Sequence, residues 1–284
     1  MRVQGNLRRA PSSWFKNNMG MILRDWQRKS LPLLRSEAFE TSAHYSRVTL
    51  LTYTFPQDVD GEAFDWIEFA ILQSWKKLGQ LKTVIVAPKR FAKLDAFVAR
   101  YSSVEVKISE KLVPGDIKSM SIDCLENLWR YFETPEVLLV QDDGFPIKSN
   151  LEDFLGKYDY IGAPIVAVPW KRKLVYALNL ATYNGGLTLR SRRYCRYVSH
   201  FWRYFLKWIF KLGFKIPGED VTYCMLSRLN PYAWFRFRFP PEKTAMRFAV
   251  DILDGHREMP AEMPFGAHGK ATWAHLIQQG LVNE

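Results

Sequence analysis

A three-layer α/β sandwich around a mostly parallel central sheet is the fold this sequence predicts, and three observations predict it. Runs of β-favouring residues at 47–55, 82–87, 104–108 and 137–140 alternate with stretches of helical spacing, the pattern of a parallel sheet covered by helices. The run Val137 to Val140 has no polar face, so it belongs inside a sheet buried on both sides. At 284 residues, with 48% hydrophobic and 15% aromatic content, the chain can fill a large core.

In chain order, residues 47–55 form the first strand. Phe64, Ile67, Ile71, Leu72 and Trp75 then put a helix over 61–78. The second strand stops at Pro88, residues 91–101 suit a short helix, and 117–132 suit a longer one with Ile122, Leu125, Leu128 and Trp129 on one side. The fourth strand delivers Gln141, Asp142 and Asp143 to a turn made by Gly144 and Pro146, at the sheet edge where open α/β folds place ligands. Two adjacent carboxylates at a core edge repel each other and resist desolvation. A divalent cation carrying a phosphate answers that charge; a solvated Asp-Gly turn is the plainer alternative.

The second half changes character. Residues 158–164 read as a strand ending in a turn, and 183–190 run from Asn184, Gly185 and Gly186 into another strand. A glycine pair permits close backbone approach to a ligand, while Asn-Gly is also an ordinary hairpin signal. Glu219 and Asp220 head a helix beginning near 217, where the macrodipole favours carboxylates whatever else they do. His268 falls in a late loop between small residues, a common place for simple polar surface.

The net charge of +11 is concentrated in two patches. Residues 1–35 carry +7 and residues 190–215 carry +8, which leaves the remainder at −4. Arg203, Lys207, Lys211 and Lys215 recur every four residues among aromatic and aliphatic neighbours, a stripe that suits either an anionic membrane interface or a core helix with one wet basic face. Residues 1–45 divide off as a basic N-terminal extension, read as membrane-associating or as a solvated arm, and residues 46–284 form the α/β domain with a basic aromatic helix near 200–215. Cys124, Cys195 and Cys224 are scattered and odd in number, so neither a disulfide framework nor a zinc site is expected. No apolar stretch reaches the roughly 20 residues of a membrane span, and the N-terminus lacks a signal-peptide core. The expected location is the cytoplasm, with a peripheral seat on the inner membrane.

Taken in order, Val-Gln-Asp-Asp-Gly (140–144), Tyr-Asp-Tyr-Ile-Gly-Ala-Pro (158–164), Tyr-Asn-Gly-Gly-Leu-Thr-Leu-Arg-Ser (183–191), Gly-Glu-Asp-Val (218–221) and Phe-Gly-Ala-His-Gly (265–269) resemble the DUF5672 group of bacterial glycosyltransferases with a GT-A-like fold. The resemblance spans roughly residues 47–270. It implies a nucleotide-sugar donor, a glycan or lipid-linked acceptor in cell-surface polysaccharide synthesis, and a divalent cation, Mn²⁺ or Mg²⁺. Asp143 matches the terminal acid of an Asp-x-Asp motif, although Gln141 replaces the first acid, and His268 matches a late metal-binding histidine. Asp142 then faces the donor ribose or sugar, and Asn184, Gly185 and Gly186 line the sugar and acceptor pocket. Asp220, with Glu219 second, matches the base of inverting enzymes. Tyr53 and Thr54, at the end of the first strand, are nucleotide contacts by position. Two other classes compete: a nucleotidyltransferase, whose glycine- and lysine-rich phosphate loop is missing at 52–55, and a non-catalytic protein binding anionic membrane or nucleic acid. With three acidic or histidine turn motifs in the negatively charged remainder, no nucleic-acid partner is expected.

Overall fold

The structure, a computed structural model, describes residues 13–58, 61–164, 183–206, 218–252 and 260–282. Strands β1 (Val48–Tyr53), β2 (Thr83–Ala87), β3 (Val104–Ile108) and β4 (Glu136–Leu139) fall where the apolar runs place them, and all four are parallel. Helices α2 (Ala63–Leu78), α3 (Ala92–Arg100) and α4 (Ile117–Asn127) make the crossovers, following α1 (Ser13–Ser36). The helix expected over 117–132 ends at Asn127 and tightens into a 3₁₀ turn at Leu128–Arg130.

Beyond β4 the main sheet gains β6 (Tyr160–Pro164) and β7 (Tyr183–Ser191) in the order β3-β2-β1-β4-β7-β6. β7 runs antiparallel to both neighbours, so it alone reverses an otherwise parallel sheet. One row across the sheet reads Thr83, Leu50, Leu138, Leu189 and Ile161, all buried, in keeping with the unbroken apolar run of β4. A small second sheet, ordered β5-β9-β8, packs β5 (Gly144–Pro146) antiparallel to β9 (Gly266–His268), with β8 (Ala249–Val250) parallel to β9.

That second sheet corrects two sequence expectations. His268 stands on a strand, not in a loop; three residues are too few to show a period, and only the pairing with β5 defines β9. Asn184, Gly185 and Gly186 lie inside β7 and make no hairpin turn. The described part of the N-terminal segment joins the domain: α1 buries Leu23, Trp26, Leu31 and Leu34 in the core. Trp26 stacks on Trp273 at 5.6 Å, and Trp273 stacks on Phe145 at 4.1 Å. These rings tie α1 and α8 (Lys270–Gln278) to β5, directly beneath the acidic turn. In the second basic patch, α5 (Arg192–Phe201) starts from a Ser191 cap and continues as a π-helical turn at Trp202–Leu206. Lys207, Lys211 and Lys215 lie outside the described residues. The three cysteines are buried thiols.

Candidate active site

The acidic turn sits at the carboxyl edge of the main sheet. After β4 the backbone closes on itself through Gln141 and Gly144, each N–H donating to the other's carbonyl at 3.0 Å, so Asp142 and Asp143 occupy the tip. The two acids are held from opposite sides. Arg24 of α1 forms an ion pair with the Asp142 carboxylate, and Gln27 Nε2 donates to the Asp142 carbonyl at 2.7 Å. The Asp143 carbonyl accepts from the Gly269 N–H and from Trp273 Nε1, both at 2.9 Å. Arg24 and Gln27 were beyond sequence reasoning, since an i, i+3 pair on a basic helix looks like any solvated face.

Pairing of β5 with β9 sets Gly144 opposite His268 and brings the imidazole to the turn. His268 Nε2 lies 3.3 Å from Asp143 Oδ1, and Nδ1 lies 3.2 Å from Asp251 Oδ2. Burial opposes the histidine's positive charge, but the Asp143 and Asp251 carboxylates outweigh it and raise the His268 pKa to about 10. Burial likewise works against ionised Asp143; His268, then Lys270 and Arg24, pull its pKa below the ordinary value. The glycines here serve close packing. A Cβ on Gly144 would stand 2.8 Å from the His268 ring, and one on Gly186 would collide with that ring. Asp251 went unnoticed in the sequence, because a lone acid after a two-residue strand carries no pattern.

Beside the turn, Tyr53, Thr54, Phe55, Pro56, Met120, Gln141 and Asp142 line a cavity of about 270 Å³. Its walls combine aromatic and aliphatic groups with a few polar ones, the usual make-up of a small-molecule pocket. The strand-end residues Tyr53 and Thr54 therefore meet Gln141 and Asp142 in one place, as their positions suggest.

Across β7, α6 (Glu219–Leu229) presents its two leading acids differently. Glu219 turns inward: it is 6% exposed, 3.4 Å from Arg190 NH2 and 3.3 Å from Ser121 Oγ, and a Cβ on Gly185 would strike it. Arg190, fully buried, lies over the rings of Tyr223 at 4.6 Å and Tyr160 at 5.0 Å. Asp220 stays half-buried beside Gly185, where burial and the Glu219 charge raise its pKa to about 6. A carboxyl raised to that value is still mostly ionised at neutral pH and is a stronger proton acceptor than an ordinary carboxylate. The structure thus gathers Asp143, His268, Asn184, Gly185, Gly186 and Asp220 along one edge of the sheet, with Glu219 beneath it.

Among the described residues, no three His, Cys, Asp or Glu side chains converge as a metal centre. Asp143 Oδ1 and His268 Nε2 face each other at 3.3 Å as an ion pair, and a cation held by both would take the place of the proton between them. Asp251 on the far imidazole nitrogen is the carboxylate partner that metal-bound histidines ordinarily have. A carboxylate and an imidazole suit Mn²⁺ or Mg²⁺ when ligand phosphates complete the shell, so the residues fit a divalent cation.

The fold of this chain is GT-A-like. An active-site mutant of the galactosyltransferase LgtC matches with a TM-score of 0.51 at 12% identity, covering 81% of this chain and 95% of that one. The mannosyltransferase Ktr4p from S. cerevisiae matches at 0.48 and 8% identity, over 75% of this chain and 82% of that one. The mannosyltransferase PcManGT from Pyrobaculum calidifontis, solved with GDP-Man and Mn²⁺, matches at 0.40 and 13% identity; it covers 81% of this chain, which spans 65% of that protein. At these identities the likeness is one of fold. Residues 106–268, more than half of the chain, match the family described as protein of unknown function (DUF5672), and the chain belongs to that family. No curated protein matches the sequence.

Proposed function

We propose that this protein transfers a sugar from a nucleotide-sugar donor to a hydroxyl of a glycan or lipid-linked acceptor, with inversion, in bacterial cell-surface polysaccharide synthesis. The observation that carries the reading is the placement of a proton acceptor, Asp220, and a cation seat, Asp143 with His268, on either side of the Asn184–Gly186 segment and beside the Tyr53 and Thr54 cavity. The nucleoside occupies the cavity and the sugar lies along Asn184, Gly185 and Gly186. Asp220 takes the acceptor hydroxyl proton as that oxygen bonds to the anomeric carbon, and the bond from that carbon to the diphosphate breaks. Asp143 and His268 hold a divalent cation, which when bound neutralises the charge on the departing diphosphate. Arg24 and Lys270, whose charges act on Asp143, add positive potential at the same point. The test is nucleoside diphosphate release from a panel of nucleotide sugars, with and without Mn²⁺. Turnover with one donor supports the transferase; salt-sensitive binding of vesicles or nucleic acid with no turnover from any donor returns the case to a binding protein.

The protein rests on an anionic bilayer through its second basic patch. Residues 190–241 carry eleven arginines and lysines against Glu219 and Asp220 alone. In α7 (Pro231–Arg236), Tyr232, Trp234 and Phe235 are 59%, 60% and 92% exposed, and the Tyr232 ring lies 5.9 Å from Tyr197 of basic α5. Exposed aromatics beside cations are what a lipid headgroup region accepts. No helix among the described residues is long and apolar enough to cross a membrane. Co-sedimentation with phosphatidylglycerol vesicles is expected at low salt, and Phe235→Ser should weaken it by roughly tenfold. Wild-type protein left in the supernatant at low salt would sink the membrane assignment.

A further inference from the structure

Asp251 follows β8, whose Val250 pairs with Ala267 of β9, so its carboxylate emerges next to His268 at the end of the small sheet. It is 3% exposed, and one oxygen, Oδ2, serves two partners: Asn184 Nδ2 donates to it at 2.8 Å and His268 Nδ1 approaches it at 3.2 Å. The other oxygen, Oδ1, lies 2.8 Å from where a Cβ of Gly269 would be. Gly269, at φ +90, lacks that atom and leaves the carboxylate its room. The same Asn184 uses its Oδ1 to accept from the Gly186 N–H at 2.8 Å, which sets the β7 backbone lying against the imidazole. Asn184, Gly186, His268 and Asp251 therefore form a closed loop of contacts.

We propose that Asp251 is a positioning residue that ties the cation ligand His268 to the donor-sugar segment at Asn184 through a single carboxylate oxygen. This rests on reading Asp143 and His268 as the cation seat. By accepting from the His268 Nδ1–H, Asp251 directs Nε2 toward Asp143, as the outer carboxylate of a metal-bound histidine does. Because both donors share Oδ2, movement of His268 on cation binding passes to Asn184, and hence to the sugar pocket. The cation and the donor are coupled through this one side chain.

The experiment measures Mn²⁺ binding to the full chain by electron paramagnetic resonance without donor, and donor KM and kcat alongside. Asp251→Ala is expected to raise the Mn²⁺ Kd by about 10- to 100-fold. Asp251→Asn, which keeps an acceptor oxygen but loses its charge, should cost only roughly fivefold. Asn184→Ala should raise donor KM in the wild-type background and add little in the Asp251→Ala background, the non-additivity of a shared partner. Should Asp251→Ala not fold, Asp251→Asn and Asn184→Ala decide the matter. Wild-type Mn²⁺ affinity in the Asp251 variants overturns the positioning role while leaving the cation seat standing. A wild-type protein that binds no Mn²⁺ overturns the seat, and this inference with it.

Discussion

Replacing Asp220 by Asn is expected to lower kcat by about 10²- to 10⁴-fold while donor affinity stays at the wild-type level, because the amide cannot take the acceptor proton. The environment makes a second, sharper expectation. Burial and the neighbouring Glu219 charge bring the Asp220 pKa up to about 6, and the ionised form is the competent base. Wild-type kcat should therefore rise with pH, reach half its plateau near pH 6, and flatten above it. As pH falls through that value the carboxyl is protonated and the rate is lost. The residual rate of Asp220→Asn should lack this inflection. Isothermal titration of the donor separates binding from chemistry. A variant with ordinary kcat, or a wild-type profile flat between pH 5 and 7, assigns the proton to another group.

Arg190→Met should cost about 3 to 5 kcal/mol of stability, the largest loss expected of any single change in the site, because it leaves a carboxylate buried without its cation. Glu219 is 6% exposed, with Arg190 and the Ser121 hydroxyl as its polar neighbours, so it cannot recover water in exchange. The guanidinium also bonds Thr188 Oγ1 at 2.9 Å and fills the space between Tyr160 and Tyr223. Arg190→Lys is expected to destabilise too, since an ammonium has neither the planar stack nor the fork of donors. Pairing Arg190→Met with Glu219→Gln should recover much of the loss, because the stranded charge is gone. Urea denaturation reads each case. An unchanged midpoint for Arg190→Met would mean that the Arg190–Glu219 pair does not hold the start of α6 in place.

Several parts of the site were legible early. Val137 to Val140 announced a buried strand, and Asp142 and Asp143 had to follow it at the carboxyl edge because a strand's end is local information. The head of α6 was equally plain from Glu219 and Asp220. Reading their roles was harder. Adjacent acids on one helix turn point in different directions, so the inward course of Glu219 toward Arg190 and the half-open place of Asp220 depended on what β7 and α4 set against them. The glycines show the same limit: no spacing in the chain reveals that Gly185 lies against Glu219 and Gly186 against His268.

By itself the sequence determined the alternation of strands and helices, the acidic strand end and the two basic regions, since each depends on residues close together in the chain. Tertiary structure alone decided that Arg24 reaches Asp142 across 118 positions, that β9 carries His268 to Asp143, that β7 runs backward, and that Asp251 holds His268 and Asn184 together. Those contacts come from pairing and packing between distant segments, which leave no period or spacing in any window of the chain.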